Sequence, residues 1–109
     1  MSIMEEVYDQ LKQDNFVDTA EDFSVDWCWR SKSWYSVQKN KGSDFSIAVA
    51  INCLNKVKIK IALEYIKKKK FGSIAESNIR LLNAVQDKLS EYLLLEHRIA
   101  GIDSDDFRL

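Results

Sequence analysis

Between Asp26 and Asp44 the sequence holds no acid. Within that interval RSKSWYSVQKNKG, residues 30–42, sets two aromatics among four basic residues and three serines. Cations neutralise phosphates, and hydroxyls donate to and accept from base edges, so this mixture suits a nucleic-acid duplex. A helix over residues 31–40 with Trp34 and Val37 inward turns Lys32, Ser33, Tyr35, Ser36 and Lys39 outward. Arg30 and Lys41 sit at its two ends. Lys32, Ser33 and Ser36 are placed to read bases, Arg30, Lys39 and Lys41 to hold phosphates, and Tyr35 to do either or to stack on a sugar. The plainer reading of the same residues is a solvated helix face on a domain that binds nothing there.

Other chemistry is sparse. The one histidine, His97, has no companion at metal-ligand spacing and suggests no Ser-His-Asp set. Three glycines make no phosphate loop, and the acid pair Asp105-Asp106 falls in an apparent tail, a poor place to hold a reacting group rigidly. No catalytic residue, metal ligand or cofactor is therefore expected. Cys28 and Cys53 stand in apolar, helical-looking stretches without a CxxC motif, which predicts buried free thiols. Tryptophans at Trp29 and Trp34 are expected in the core; an exposed one would point to a protein-interaction surface.

Charge is sharply segregated along the chain. Residues 1–29 carry one lysine and eight acids, net −7; residues 30–72 carry eleven cations against Asp44 and Glu64, net +9; residues 73–109 carry four cations and seven acids, net −3. That asymmetry points to an anionic partner, which the total of −1 conceals. The tetralysine Lys67–Lys70 resembles a nuclear-localisation or phosphate-binding tract, although a solvated helix end is the commoner explanation. No apolar run approaches a membrane span, so no membrane partner is expected, and the acidic, amphipathic start MSIMEEVYDQ is unlike a targeting peptide. A soluble cytoplasmic protein follows.

The elements that must position these groups read as helices. With no proline and few glycines, 109 residues favour a few long helices in one domain over many short strands. Ile3, Val7, Tyr8 and Leu11 mark a first amphipathic helix over residues 3–13. Asp18 or Thr19 caps a short second helix with Ala20, Phe23 and Trp27 inward, and Trp29 plugs the turn behind it. Small Ser24 lets the second and third helices approach. After Gly42, one of Ser43, Asp44 and Ser46 caps a longer helix whose stripe runs Ile47, Ala50, Ile51, Leu54, Val57, Ile61 and Tyr65. VKIKI, residues 57–61, also alternates like a strand, but the helical period holds on both sides. Gly72 ends that helix. Ser73-Ile74-Ala75-Glu76 reads as a capping box opening a last helix over residues 74–100. Its stripe, Ile79, Leu82, Val85, Leu89, Leu93 and Ile99, is widened by Leu81, Leu94 and Leu95. Such width serves core packing or a homodimer seam. Gly101 stops the helix.

The arrangement of residues 19–57, TAEDFSVDWCWRSKSWYSVQKNKGSDFSIAVAINCLNKV, resembles a helix-turn-helix of the lambda-repressor-like, Xre-type class. Cys28 stands where that class favours glycine, and Arg30 where it favours a cap. The segment is also similar to small uncharacterised bacterial and phage proteins with an FS…DW…RS.SYYS pattern. The resemblance implies a helix-turn-helix at residues 19–41 whose second helix enters the major groove.

The expected protein is thus all-α, with about five helices in a single domain over residues 1–109, a central helix-turn-helix and a long C-terminal amphipathic helix. Its expected function is non-catalytic binding of double-stranded DNA, as a small transcriptional regulator. The alternative is a phage or mobile-element type of protein-interaction module, an inhibitor or adaptor that keeps the fold without the DNA role.

Overall fold

The computed structural model describes residues 1–97. These form an all-helical globule: α1 (Ile3–Gln13), α2 (Ala20–Asp22) running on into a π-helical turn (Phe23–Trp27), α3 (Trp34–Asn40) and α4 (Ile47–His97).

Helix α1 opens on a serine N-cap. Ser2 Oγ accepts from the Glu5 amide at 3.1 Å and bonds the Glu5 carboxylate at 3.2 Å. A second, distant cap reinforces it: the Asp44 carboxylate accepts from the amides of Ile3 (3.0 Å) and Met4 (2.9 Å). Met4, Val7 and Leu11 are buried along one face, with Ile3 and Tyr8 packed beside them. The chain then turns through Asn15, whose φ of 65° is left-handed, and is pinned by buried Val17. Thr19 caps α2 by accepting from the Asp22 amide at 3.1 Å.

The helix widens after Asp22. Ser24 Oγ donates to the Ala20 carbonyl at 2.9 Å, and Cys28 N–H reaches the Phe23 carbonyl, five residues back, at 3.0 Å. A hydroxyl bonded back to the carbonyl four residues earlier competes with the amide ladder and loosens it there.

In α4, helical backbone runs from Ile47 to His97, 51 residues. Straight, it would reach about 76 Å at 1.5 Å per residue. The longest dimension of the molecule is 43 Å, and Tyr92 Oη donates to the Phe45 carbonyl at 2.7 Å. The helix therefore doubles back. The ion pair of Lys68 with Glu76, at 3.5 Å, places the bend between them, around Gly72, where a Cβ would meet nothing within 4 Å. Two antiparallel arms, residues 47–70 and 73–97, result. The expected reversal at Gly72 and the long helix after it are present, and Glu76, expected in a capping box with Ser73, pairs with Lys68 across the bend. The strand-like run at residues 57–61 is helical.

The arms close on each other and on α1. Val49, Ala50, Cys53, Leu54 and Val57 from the first arm meet Leu82, Val85, Leu89, Tyr92 and Leu93 from the second. Ile47 and Tyr65, expected inward, are exposed; Val49 and Cys53 take the inner positions. Ser46 caps the start of α4 through the Val49 amide at 3.2 Å, which leaves Asp44 free to serve α1. Glu64 is the surprise of this seam: 5 % exposed, it faces inward with Lys67 at 3.8 Å.

Candidate nucleic-acid interface

Helix α3 is held by its neighbours more than by its own sequence. Ser33 at its start makes no side-chain cap. Instead Ser24 Oγ, buried in the preceding helix, accepts from the Tyr35 amide at 3.0 Å, and the Ser31 carbonyl accepts from the Trp34 amide at 3.1 Å. Trp34 is 8 % exposed and stacks near Phe45, centroids 6.3 Å apart.

Tyr35 departs from expectation. It is buried, with its ring 4.5 Å from Tyr8 and edge-on to Phe23 at 5.5 Å, so it does not reach a nucleic acid. Burial first, then the nearby Asp9 and Glu5 carboxylates, pushes its phenol above the usual tyrosine range. Val37 departs the other way, at 40 % exposed. The cause is the rotation of α3. It begins at Trp34, not Ser31, and lies against both α1 and Phe45, so the buried arc spans Trp34 and Tyr35 together and excludes Val37.

The outward face follows from that rotation. At 100° per residue, Ser33, Ser36, Val37 and Asn40 form one stripe opposite the buried arc. Lys32 and Lys39 border it on one side and Lys41 on the other. Arg30 stands in the preceding loop. All of these side chains are exposed. The ion pairs of the described residues engage Lys67, Lys68 and Lys88, and none involves Arg30, Lys32, Lys39 or Lys41. Five of the seven expected contact residues lie on or beside this stripe, while Arg30 is exposed in the loop and lines a hollow with Trp34, Gln38 and Asp44. Val37 and Asn40 were missed; the spacing of Ser33, Ser36 and Asn40 at i, i+3 and i+7 was the available signal. Gly42 ends the helix with φ 69°, as its position predicts.

The connection from the π-turn to α3 spans residues 28–33, longer than the three or four residues usual between paired DNA-binding helices. Trp29 does not plug it: the indole is 47 % exposed and its backbone is left-handed, φ 57°. Arg30 N–H bonds the Ser24 carbonyl, six residues back, at 2.8 Å, which makes Trp29 the left-handed residue of a Schellman-type helix end, a place usually taken by glycine. Cys28 fills the core position instead, its carbonyl accepting from the Asn52 amide group at 3.1 Å. Beside α3 lies a hollow of about 260 Å³, lined in part by Arg30, Gln38 and Ser46.

Beyond α3 the cations continue along the first arm of α4. Lys56 lies over the Trp27 ring at 5.6 Å, and Lys67–Lys70 are exposed next to the bend. The wide stripe of the second arm is largely used within the chain, from Ala75 to Leu93; of the leucines that widened it, Leu94 and Leu95 stay exposed. Ile99, Gly101 and the acidic tail lie outside the described residues. Cys28 and Cys53 are free, buried thiols in mutual hydrogen-bonding contact, and burial first, then the neighbouring Cys53, pushes Cys28 far up.

No helix among the described residues is long and apolar enough to cross a membrane. No curated protein matches the chain, and no solved structure does. Residues 4–102 do match a family model described only as a family of unknown function, DUF6626, and the chain belongs to that family.

Proposed function

We propose that the protein binds double-stranded DNA without catalysis, as a small transcriptional regulator that presents α3 to the major groove in the manner of a helix-turn-helix. The observation that carries this reading is the acid-free outward stripe of α3, bordered on both sides by cations that are not in ion pairs with the described residues. Ser33, Ser36 and Asn40 present hydroxyls and an amide to base edges, and an asparagine amide fits adenine in two-point fashion. Val37 suits a thymine methyl. Arg30, Lys32, Lys39 and Lys41 hold phosphates. A helix of seven residues reads few base pairs, so two copies would act together, with Leu94 and Leu95 as exposed apolar residues of the second arm for pairing.

Fluorescence anisotropy on labelled duplexes across a salt series tests the reading. Binding should weaken steeply as salt rises, and Lys32→Glu or Lys39→Glu should weaken all sequences and flatten the salt slope by about one contact each. Ser36→Ala and Asn40→Ala should instead relax preference between sequences. Absence of duplex binding at low salt refutes the proposal.

A second reading, an interaction module for a protein partner, draws on the exposed Trp29 with Val25 four residues before it. Exposed tryptophans commonly anchor protein interfaces. Loss of a partner contact on Trp29→Ala, with duplex binding unchanged, would favour it.

A further inference from the structure

The outer face of the first arm of α4 carries a feature that phosphate binding does not use. Ile59, Leu63 and Ile66, at i, i+4 and i+7, are all exposed, Ile66 at 70 %. They lie on the side of the helix opposite Val57 and Glu64, which face the core. By the same geometry Lys60 and Lys67 run along one flank of this ridge and Lys69 along the other, with Lys70 continuing its line. From Lys56 to Gly72 there are seven lysines against Glu64 alone, net +6, and Glu64 is turned inward. Beyond the bend, Ile74 is exposed as well.

We propose that this face adsorbs to an anionic lipid surface, with the ridge seated among the upper acyl chains and the lysines on the headgroup phosphates. The charge argues against a second copy as occupant, because two such ridges in contact would set lysines against lysines with no outward acid from Lys56 to Gly72 to relieve them. The residue types argue against a protein groove. The flanks hold lysine and no arginine, whereas protein interfaces favour arginine and are depleted in lysine. A nucleic acid offers such a ridge isolated thymine methyls and no continuous apolar phase. A bilayer interface satisfies both halves of the pattern: apolar side chains enter hydrocarbon, and long lysine stems reach past it to phosphates. The absence of a spanning segment, from which no membrane partner was expected, does not bear on adsorption to a surface.

Flotation of the full chain with vesicles tests this. Vesicles of phosphatidylcholine with about one-third phosphatidylglycerol should carry the protein at low salt, and pure phosphatidylcholine should not. Ile59→Gln, Leu63→Gln and Ile66→Gln combined should lower the bound fraction at least about tenfold with helicity unchanged, since the three side chains support no core. Ile66→Cys carrying an environment-sensitive dye, selective because Cys28 and Cys53 are buried, should shift to the blue on anionic vesicles only. No flotation on anionic vesicles overturns the proposal. So does equal flotation of the triple variant, which would reduce the surface to charge alone, and so does self-association lost in the triple variant without any vesicle binding.

Discussion

One carboxylate ties the start of α1 to the segment before α4. Asp44 accepts from the Ile3 and Met4 amides at 3.0 and 2.9 Å and from its own neighbour, Phe45 N–H, at 2.8 Å. It thereby satisfies two of the four amides that a helix start leaves without intrahelical partners, and sets a negative charge at the positive end of α1. Hydrogen bonds to a charged acceptor contribute about 1.5–3 kcal/mol each net. Asp44 is only partly buried, so water recovers some of that in a variant. Loss of a single helix cap costs about 0.5–2 kcal/mol. Two amides on one charged acceptor, discounted for solvent, place Asp44→Ala at about 2–3 kcal/mol. Asp44→Asn, which keeps a neutral acceptor, should cost roughly half as much. Urea unfolding followed by tryptophan fluorescence reads this directly, because Trp27 and Trp34 are buried. With a urea slope of about 1–3 kcal/mol per molar, the alanine midpoint should fall by roughly 1–2 M. Ser2→Ala is the internal comparison: its hydroxyl accepts from one helix amide, that of Glu5, and donates to the Glu5 carboxylate, and about 1 kcal/mol is expected. An Asp44→Ala chain within about 1 kcal/mol of the parent, or no more affected than Ser2→Ala, would refute the reasoning.

Other consequences follow from the same contacts. Ser24→Ala strands the buried Tyr35 amide and should cost about 1–3 kcal/mol by urea unfolding, whereas Ser24→Thr, which keeps the hydroxyl, meets a site with no exposed surface and should cost through crowding instead. Tyr35 has a folded pKa above its ordinary value of 10, so its share of stability is complete below pH 10 and is lost as pH rises beyond it. Tyr35→Phe should therefore lessen the alkaline decline measured by urea midpoints on either side of pH 10; burial raises Tyr92 too, so the decline should persist in part. Glu64→Met should be neutral or raise the melting temperature, since the inward carboxylate has the half-exposed Lys67 as its ion-pair partner among the described residues and methionine fills similar space.

Much of this fold was legible because helical periodicity is a property of many residues at once. The stripe from Ile79 to Leu93 lies in the core, the first helix has its expected bounds, and Thr19 and Gly42 act where their chemistry places them. The errors gather where one or two residues decide. A helix of seven residues has too few inward positions to fix its own rotation, so Tyr35 and Val37 exchanged faces. Trp29 was read by its hydrophobicity, but a helix end needed a left-handed residue there, and that backbone demand outweighed burial of the ring. Asp44 was read locally, as a candidate cap for α4; its real partners lie about forty residues upstream, beyond the reach of any spacing rule. Asn40 was passed over although its spacing from Ser33 and Ser36 was legible; Val37, on the same stripe, is placed outward only once the rotation of α3 is known.

The way α3 is anchored has a consequence for how its outer surface can change. The groups that fix the helix in place are a hydroxyl borrowed from the preceding segment and two rings on the inner side. Positions 33, 36, 37 and 40 contribute nothing to that anchorage. They form a replaceable cassette: relatives could carry quite different chemistry there on an unaltered frame, and an engineer could graft new side chains onto those four sites without redesigning what lies beneath.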